Sequence, residues 1–246
     1  MVVHYATHQL MKFHHTAGTL PRECSVLDIG QVEWGYQAHG LLDDINQFGT
    51  ADRREPLRQR LFAAAKVNDV FGIGRIYYDL YFSPVIYDTI DLHGTAQALK
   101  LNLNHPIQLE RQYDVVLNNG TAEHVFNIGQ VFQTIHDHTK PGGLMVHEVP
   151  FTGFLNHGFY NINPVLMFDL ATANNYEILS LHACAHGYTE FVEIKSADDG
   201  AKCDWPKSAD SNLICYLRKS KDDSKFKLPQ QGVYARFRDG TKVEGD

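Results

Sequence analysis

The chain has 246 residues, enough for one large α/β domain or two small ones, and its composition is that of an ordinary globular protein. A formal net charge of −7 argues against a nucleic-acid binder, which needs a basic face to neutralise phosphates. No apolar stretch is long enough to span a bilayer and the first residues lack the apolar core of a signal peptide, so a cytoplasmic protein with neither membrane nor nucleic-acid partner is expected.

Residues 1–23 read as an extension in which Tyr5, Leu10, Met11 and Phe13 suggest a short amphipathic helix. Its histidines, His4, His8, His14 and His15, are expected on a solvated surface. The first firm strand is CSVLDIG at residues 24–30, an apolar run interrupted by Asp28 near its carboxyl end. An acid inside a buried strand costs free energy unless it is hydrogen-bonded, which makes Asp28 a candidate ligand contact. Residues 31–85 are too long for an ordinary connection and read as an elaboration. A short helix is expected over residues 41–49. Pro56 is expected to begin a better one, with Leu57, Leu61, Phe62, Ala65 and Val67 on one face. Trp34 and Tyr36 either cover a ligand or pack this region. Gly72-x-Gly74 lacks the third glycine of a dinucleotide fingerprint, which disfavours a nicotinamide-dependent oxidoreductase.

A strand follows at residues 85–92 (VIYDTIDL), with Asp91 at its carboxyl end, and another is expected at 98–103 (ALKLNL). The stretch from Gln112 to Phe151 then reads as a β-α-β unit. Val115, Val116 and Leu117 form a buried strand, and Asn118-Asn119-Gly120 turns the chain. Thr121 caps a helix carrying Val125, Ile128, Val131, Phe132 and Ile135. Lys140-Pro141-Gly142-Gly143 ends that helix before the next strand. Ligands sit at the carboxyl ends of such parallel strands, so Asn118 to His124 should form the mouth of a site. Asn163-Pro164 opens a helix over 165–173, strands are expected at 176–182 and 212–218, and a charged, mobile tail begins at Lys219. The whole is expected to be a single α/β domain, a doubly wound and mostly parallel sheet with an antiparallel last strand. Four cysteines without a C-x-x-C pair read as free thiols.

His124 stands out among the polar residues at the mouth. A helix N-terminus favours its neutral form, so it is a candidate general base, with Glu123 beside it to orient a substrate. His157 and Tyr160, in the loop after the β-α-β unit, are candidates for an acceptor pocket. Nothing in the spacing of Glu123, His124 and His157 specifies a metal site, and none is expected.

From about residue 24 to 218 these pieces resemble the Rossmann-like class of S-adenosylmethionine-dependent methyltransferases. VLDIG resembles the family's first motif, which implies cofactor contacts at Asp28 and Gly30. Asp91 resembles the acid that closes the second strand and binds the ribose hydroxyls. Asn102 and Leu103 stand where the family reads adenine, and YDVVLNNGTAEHVFN resembles the fourth motif, which implies roles for Asn118 and Gly120. KPGGLMVHEVPF resembles the turn and strand beyond. HGFYNINP is similar to a substrate-side loop in a bacterial subgroup of unknown substrate. The resemblance implies S-adenosylmethionine as cofactor and methyl transfer to a small-molecule oxygen or nitrogen acceptor. Two departures stand out. Gly30 is followed by Gln31-Val32-Glu33-Trp34-Gly35 rather than a glycine-rich turn, and Asn102 replaces the more usual acid. They motivate the alternative of a degenerate, non-catalytic domain that binds a nucleoside or a partner.

Overall fold

A computed structural model describes residues 2–35, 38–186, 191–196, 199, 203–206, 208–232 and 234. The chain opens with a short strand β1 (Val2–Val3) and helix α1 (Tyr5–Thr16). Strand β2 (Ser25–Ile29) leads through β3 (Glu33–Trp34) into three helices, α2 (Ala38–Phe48), α3 (Ala51–Lys66) and α4 (Val70–Tyr81). Strands β4 (Ile86–Ile90) and β5 (Tyr113–Asn119) follow, then a 3-10 turn (Ala122–His124), α5 (Ile128–His138) and β6 (Thr139–Thr152). Helix α6 (Pro164–Asn174), β7 (Glu177–Ala185), β8 (Val192–Glu193) and β9 (Ser211–Arg218) complete the described elements.

Seven strands form one sheet in the order β4-β2-β5-β6-β9-β7-β8. The first four are mutually parallel, and β9 runs antiparallel to both β6 and β7. This is the doubly wound sheet expected from the sequence. The apolar runs are continuous because both faces are covered. Val26, Val115, Leu117, Leu144 and Val146 join the core beneath α1 to α4. Their alternates, Leu27, Val116, Met145 and Val149, join the core beneath α5 and α6. From β2 the chain first adds β4 on one side and then β5 on the other. The crevice at such a reversal opens at the carboxyl ends of the strands. Among the described residues no helix is long and apolar enough to cross a membrane.

Several local expectations are corrected. His8 and His14 are buried rather than solvated. Lys12 and Tyr81 reach the buried Asp44 carboxylate at 2.7 and 2.6 Å, and His8 pairs with it too. His14 bonds Thr19 and Ser180 and stacks on Tyr216, while Phe13 is exposed. Helix α3 starts five residues before Pro56, after Thr50 as N-cap, and buries Leu57, Leu61 and Ala64; Phe62, Ala65 and Val67 face outward. Residues 98–103 form no strand; Leu99 makes one bridge to Ile90. The helix expected from Thr121 is split, with a 3-10 turn before α5 and no side-chain cap from Thr121. The turn expected at Lys140 to Gly143 belongs to β6, with Gly142 at φ +75°. The tail begins packed. Lys219 is buried and donates to the carbonyls of His136 and Thr139, where α5 passes into β6. Tyr36 and residues 235–246 lie outside the described residues.

The face assigned to α3 is testable by denaturant unfolding. Leu61→Ala should cost about 2–5 kcal/mol, as for a fully buried leucine. Phe62→Ala should stay within about 0.5 kcal/mol, as for an exposed site. Equal losses would mean that the helix is rotated.

Candidate active site

A cavity of about 550 Å³ opens at the carboxyl ends of β2, β4, β5 and β6. Each strand delivers its residues there because the apolar run stops at a polar or glycine position.

At the end of β2, Gly30 adopts φ +88°, a conformation that side chains rarely tolerate, and lines the cavity. Asp28 does not line it. Its side chain is fully buried behind the loop, accepting the Val32 N–H and the Tyr87 hydroxyl at 2.9 Å each. Burial pushes its carboxyl up to about 7, against those two hydrogen bonds. The missing second glycine has a structural counterpart. Val32, in its place, is buried against Gly74 of α4, where an added Cβ would sit 2.8 Å from the Val32 carbonyl oxygen. Gly74 therefore serves helix packing, while Gly72 makes room for the Asp69 side chain that caps α4. Trp34 is buried beside His8 and Tyr77, which is the packing alternative for that residue.

Asp91 follows β4 and lines the cavity. One carboxylate oxygen accepts the Gln31 N–H at 2.9 Å, and the other accepts those of His93 and Gly94 at 2.7 and 2.8 Å. Gln31 reciprocates by accepting the Thr95 N–H at 2.7 Å. Asn102 and Leu103 line the same end, Asn102 accepting from the Asn104 backbone and side chain at 3.0 Å.

At the end of β5, Gly120 lines the cavity at φ +81° and donates to the Glu148 carbonyl at 2.7 Å. Asn118 is buried behind it, accepting the Ala122 N–H at 3.1 Å and pairing with His147 at 3.3 Å. Asn118 thus holds the turn and does not line the cavity.

The 3-10 turn sets Glu123 and His124 side by side on the opposite wall. Glu123 is 1% exposed and its Oε2 has no partner among the described residues. Burial pushes its carboxyl up to about 8, with the Glu148 charge adding to the shift. His124 is lowered from its ordinary value, first by burial and then by His157. His157 arrives from the loop after β6, which is latched to the turn: the Phe159 N–H donates to the Glu123 carbonyl at 2.8 Å. Gly158 permits this approach, since a Cβ there would lie 2.9 Å from that carbonyl oxygen. The two imidazole Nε2 atoms lie 3.8 Å (His124) and 3.7 Å (His157) from Glu123 Oε1. Tyr160 does not line the cavity; its hydroxyl donates to the Phe126 carbonyl at 2.7 Å and anchors the loop.

Sequence reasoning missed Glu148. It lines the cavity from β6, accepting from Thr7 at 2.5 Å and Asn212 at 2.7 Å, and burial pushes it up to about 7. Its signal was the one that revealed Asp28, an acid inside an apolar strand. The described wall thus carries four carboxylates, Glu33, Asp91, Glu123 and Glu148, and neither lysine nor arginine. Such a lining favours a cationic ligand.

Comparison with known proteins adds the following. The family described as "Methyltransferase domain" matches residues 48–188. The search of curated proteins found no match. Among solved structures, the chain is similar to the 1,6-didemethyltoxoflavin N1-methyltransferase of Burkholderia thailandensis, crystallised with 1,6-didemethyltoxoflavin and S-adenosylhomocysteine. Identity is 14%, over 88% of this chain and 79% of that one, with a TM-score of 0.47. It is also similar to the N-methyltransferase NodS of Bradyrhizobium japonicum WM9, crystallised with S-adenosylhomocysteine. Identity is 10%, over 87% of each chain, with a TM-score of 0.46.

The buried Asp28 makes a pH-dependent prediction. Its carboxyl sits near 7 in the fold against an ordinary 3.8, so folding favours the protonated form. The stability it carries is complete below about pH 4 and is lost as pH rises through about 7. Asp28→Asn removes this titration and keeps an acceptor for the Val32 N–H. The melting temperature of the variant minus that of the wild type should therefore increase from about pH 5 to pH 8. A difference that does not change with pH would refute the assignment.

Proposed function

The chain belongs to the methyltransferase-domain family, and from that membership we propose that it transfers a methyl group from S-adenosylmethionine to an oxygen or nitrogen of a small-molecule acceptor. The observation that carries this reading is the Asp91 carboxylate, fixed by three backbone N–H groups in the wall of the strand-end cavity.

The residues fit the cofactor. The cavity volume lies within the usual range of about 300–1,000 Å³ for small-molecule sites. A carboxylate offers about four lone-pair sites. Three at Asp91 are taken by backbone donors, which leaves one for a ligand hydroxyl. A wall lined by four acids, with neither lysine nor arginine among the described residues, suits a sulfonium. When bound, S-adenosylmethionine supplies a methyl group already activated for displacement. Gly30 and Gly120 would receive it with bare backbone, and Asn102 and Leu103 would hold its base. Asp28 and Asn118 act from behind, through the loops they pin.

The acceptor would lie toward Glu123, His124 and His157. His124, lowered from its ordinary value by partial desolvation and by His157, is the group that takes the acceptor's proton, and Glu123 and His157 orient it. Alignment of the reactants can supply about 7–11 kcal/mol of the barrier. A general base typically contributes about 10²–10⁴-fold, or roughly 3–5 kcal/mol. Positioning is therefore the larger share, and the loop latch at Gly158 matters as much as the imidazole.

Calorimetric titration with S-adenosylmethionine tests the reading. The wild type should bind, and Asp91→Ala should bind at least about 10- to 100-fold more weakly, the share of one charge-assisted hydrogen bond, because the same carboxylate also holds the two loops. No heat of binding to the folded wild-type chain would overturn it.

A further inference from the structure

Glu123 and His157 are 34 positions apart in the chain and meet only because the loop after β6 folds back onto the 3-10 turn. With His124 they bring one carboxylate oxygen and two imidazole nitrogens within 4.8 Å of one another. We propose that Glu123, His124 and His157 form a binding site for a divalent transition-metal ion at the acceptor end of the cavity.

The geometry is close to what coordination needs. Metal–ligand bonds of about 2.0–2.2 Å put neighbouring ligand atoms roughly 3.0–3.5 Å apart. The carboxylate-to-imidazole distances of 3.8 and 3.7 Å need only small side-chain rotations to reach that range. Both side chains are exposed, and the two rings already lie together, with centroids 4.7 Å apart. A second observation points the same way. Glu123 is almost completely buried, lines the cavity, and its Oε2 has no partner among the described residues. A buried carboxylate without a cation is costly, and a bound cation offsets that cost. Two imidazoles and one carboxylate suit Zn²⁺, with Mn²⁺ bound more weakly, over Mg²⁺ and Ca²⁺, which prefer all-oxygen ligands. Three protein ligands leave coordination positions open toward the cavity.

The consequence for catalysis rests on the methyl-transfer reading; the binding of the ion does not. A ligated Nε2 accepts no proton, so in the metal-loaded chain His124 is a ligand. An acceptor hydroxyl bound to the ion would lose its proton more easily to solvent, and the ion would take over the task of the base.

The metal-stripped chain, titrated with ZnCl₂ and MnCl₂ by calorimetry, provides the test. One ion per chain should bind. His157→Ala and His124→Ala should each weaken binding by at least about tenfold, a loss seen even for outer-shell partners of a ligand. Glu123→Gln, which keeps the side chain's shape, should do the same. Failure of the native chain to bind either ion would overturn the proposal. So would undiminished binding by the folded double variant His124→Ala/His157→Ala, which would put the ion elsewhere. The S-adenosylmethionine titration of the metal-stripped chain is independent, so failure of the metal site and failure of the methyltransferase reading are distinguishable.

Discussion

The cavity depends on one carboxylate that joins two loops. Asp91 takes N–H donors from the loop after β2 and from its own loop after β4. Both segments carry backbone donors that no strand partner satisfies at the sheet edge. A single side chain satisfies three of them and so sets the distance between the rims. The close fit explains the small residue in the second loop. A Cβ at Gly94 would lie 2.6 Å from the Gln31 side-chain oxygen and 3.0 Å from the Asp91 Cβ. The second rim is held in the same manner by Asn118, whose side chain accepts the Ala122 N–H.

The opposite wall is organised by backbone approach rather than by side-chain bonds. Glu123 and His124 are carried on one short 3-10 turn, Ala122–His124, directly after β5. His157 needs its loop to come within hydrogen-bond distance of that turn, which only a residue without a Cβ at position 158 allows. Burying Glu123 and Glu148 in one cavity without a lysine or arginine is unfavourable for the empty fold. Both carboxyls are pushed up in consequence. A cationic ligand, whether sulfonium or metal ion, relieves this cost, so stability and binding are coupled at the same residues.

The elaborated stretch between β2 and β4 shows how a departure in sequence is absorbed by packing. Val32 stands where the resembled family carries a glycine, and Gly74 on α4 provides the space that Val32 fills. A hydrogen-bonded cluster of His8, Lys12, Asp44 and Tyr81 then ties α1 to α2 and α4. Sequence reading put His8 in solvent because an isolated imidazole is usually exposed. Its partner Asp44 lies on another helix, which no local pattern could indicate.

The amino-acid sequence by itself determined the six long strands β2, β4, β5, β6, β7 and β9 and the polar stops at Gly30, Asp91 and Gly120. These follow from local rules: apolar runs need burial on both faces, and turns need residues that tolerate a positive φ or a missing ladder partner. Tertiary structure alone decided which acids face the cavity. Asp28 and Glu148 carry the same sequence signal, yet Asp28 turns behind its loop, held by the Val32 N–H of that loop and by the distant Tyr87, while Glu148 faces the cavity between the distant Thr7 and Asn212. It alone also decided that Glu123 and His124 meet His157, since that contact depends on a folded loop and not on spacing along the chain.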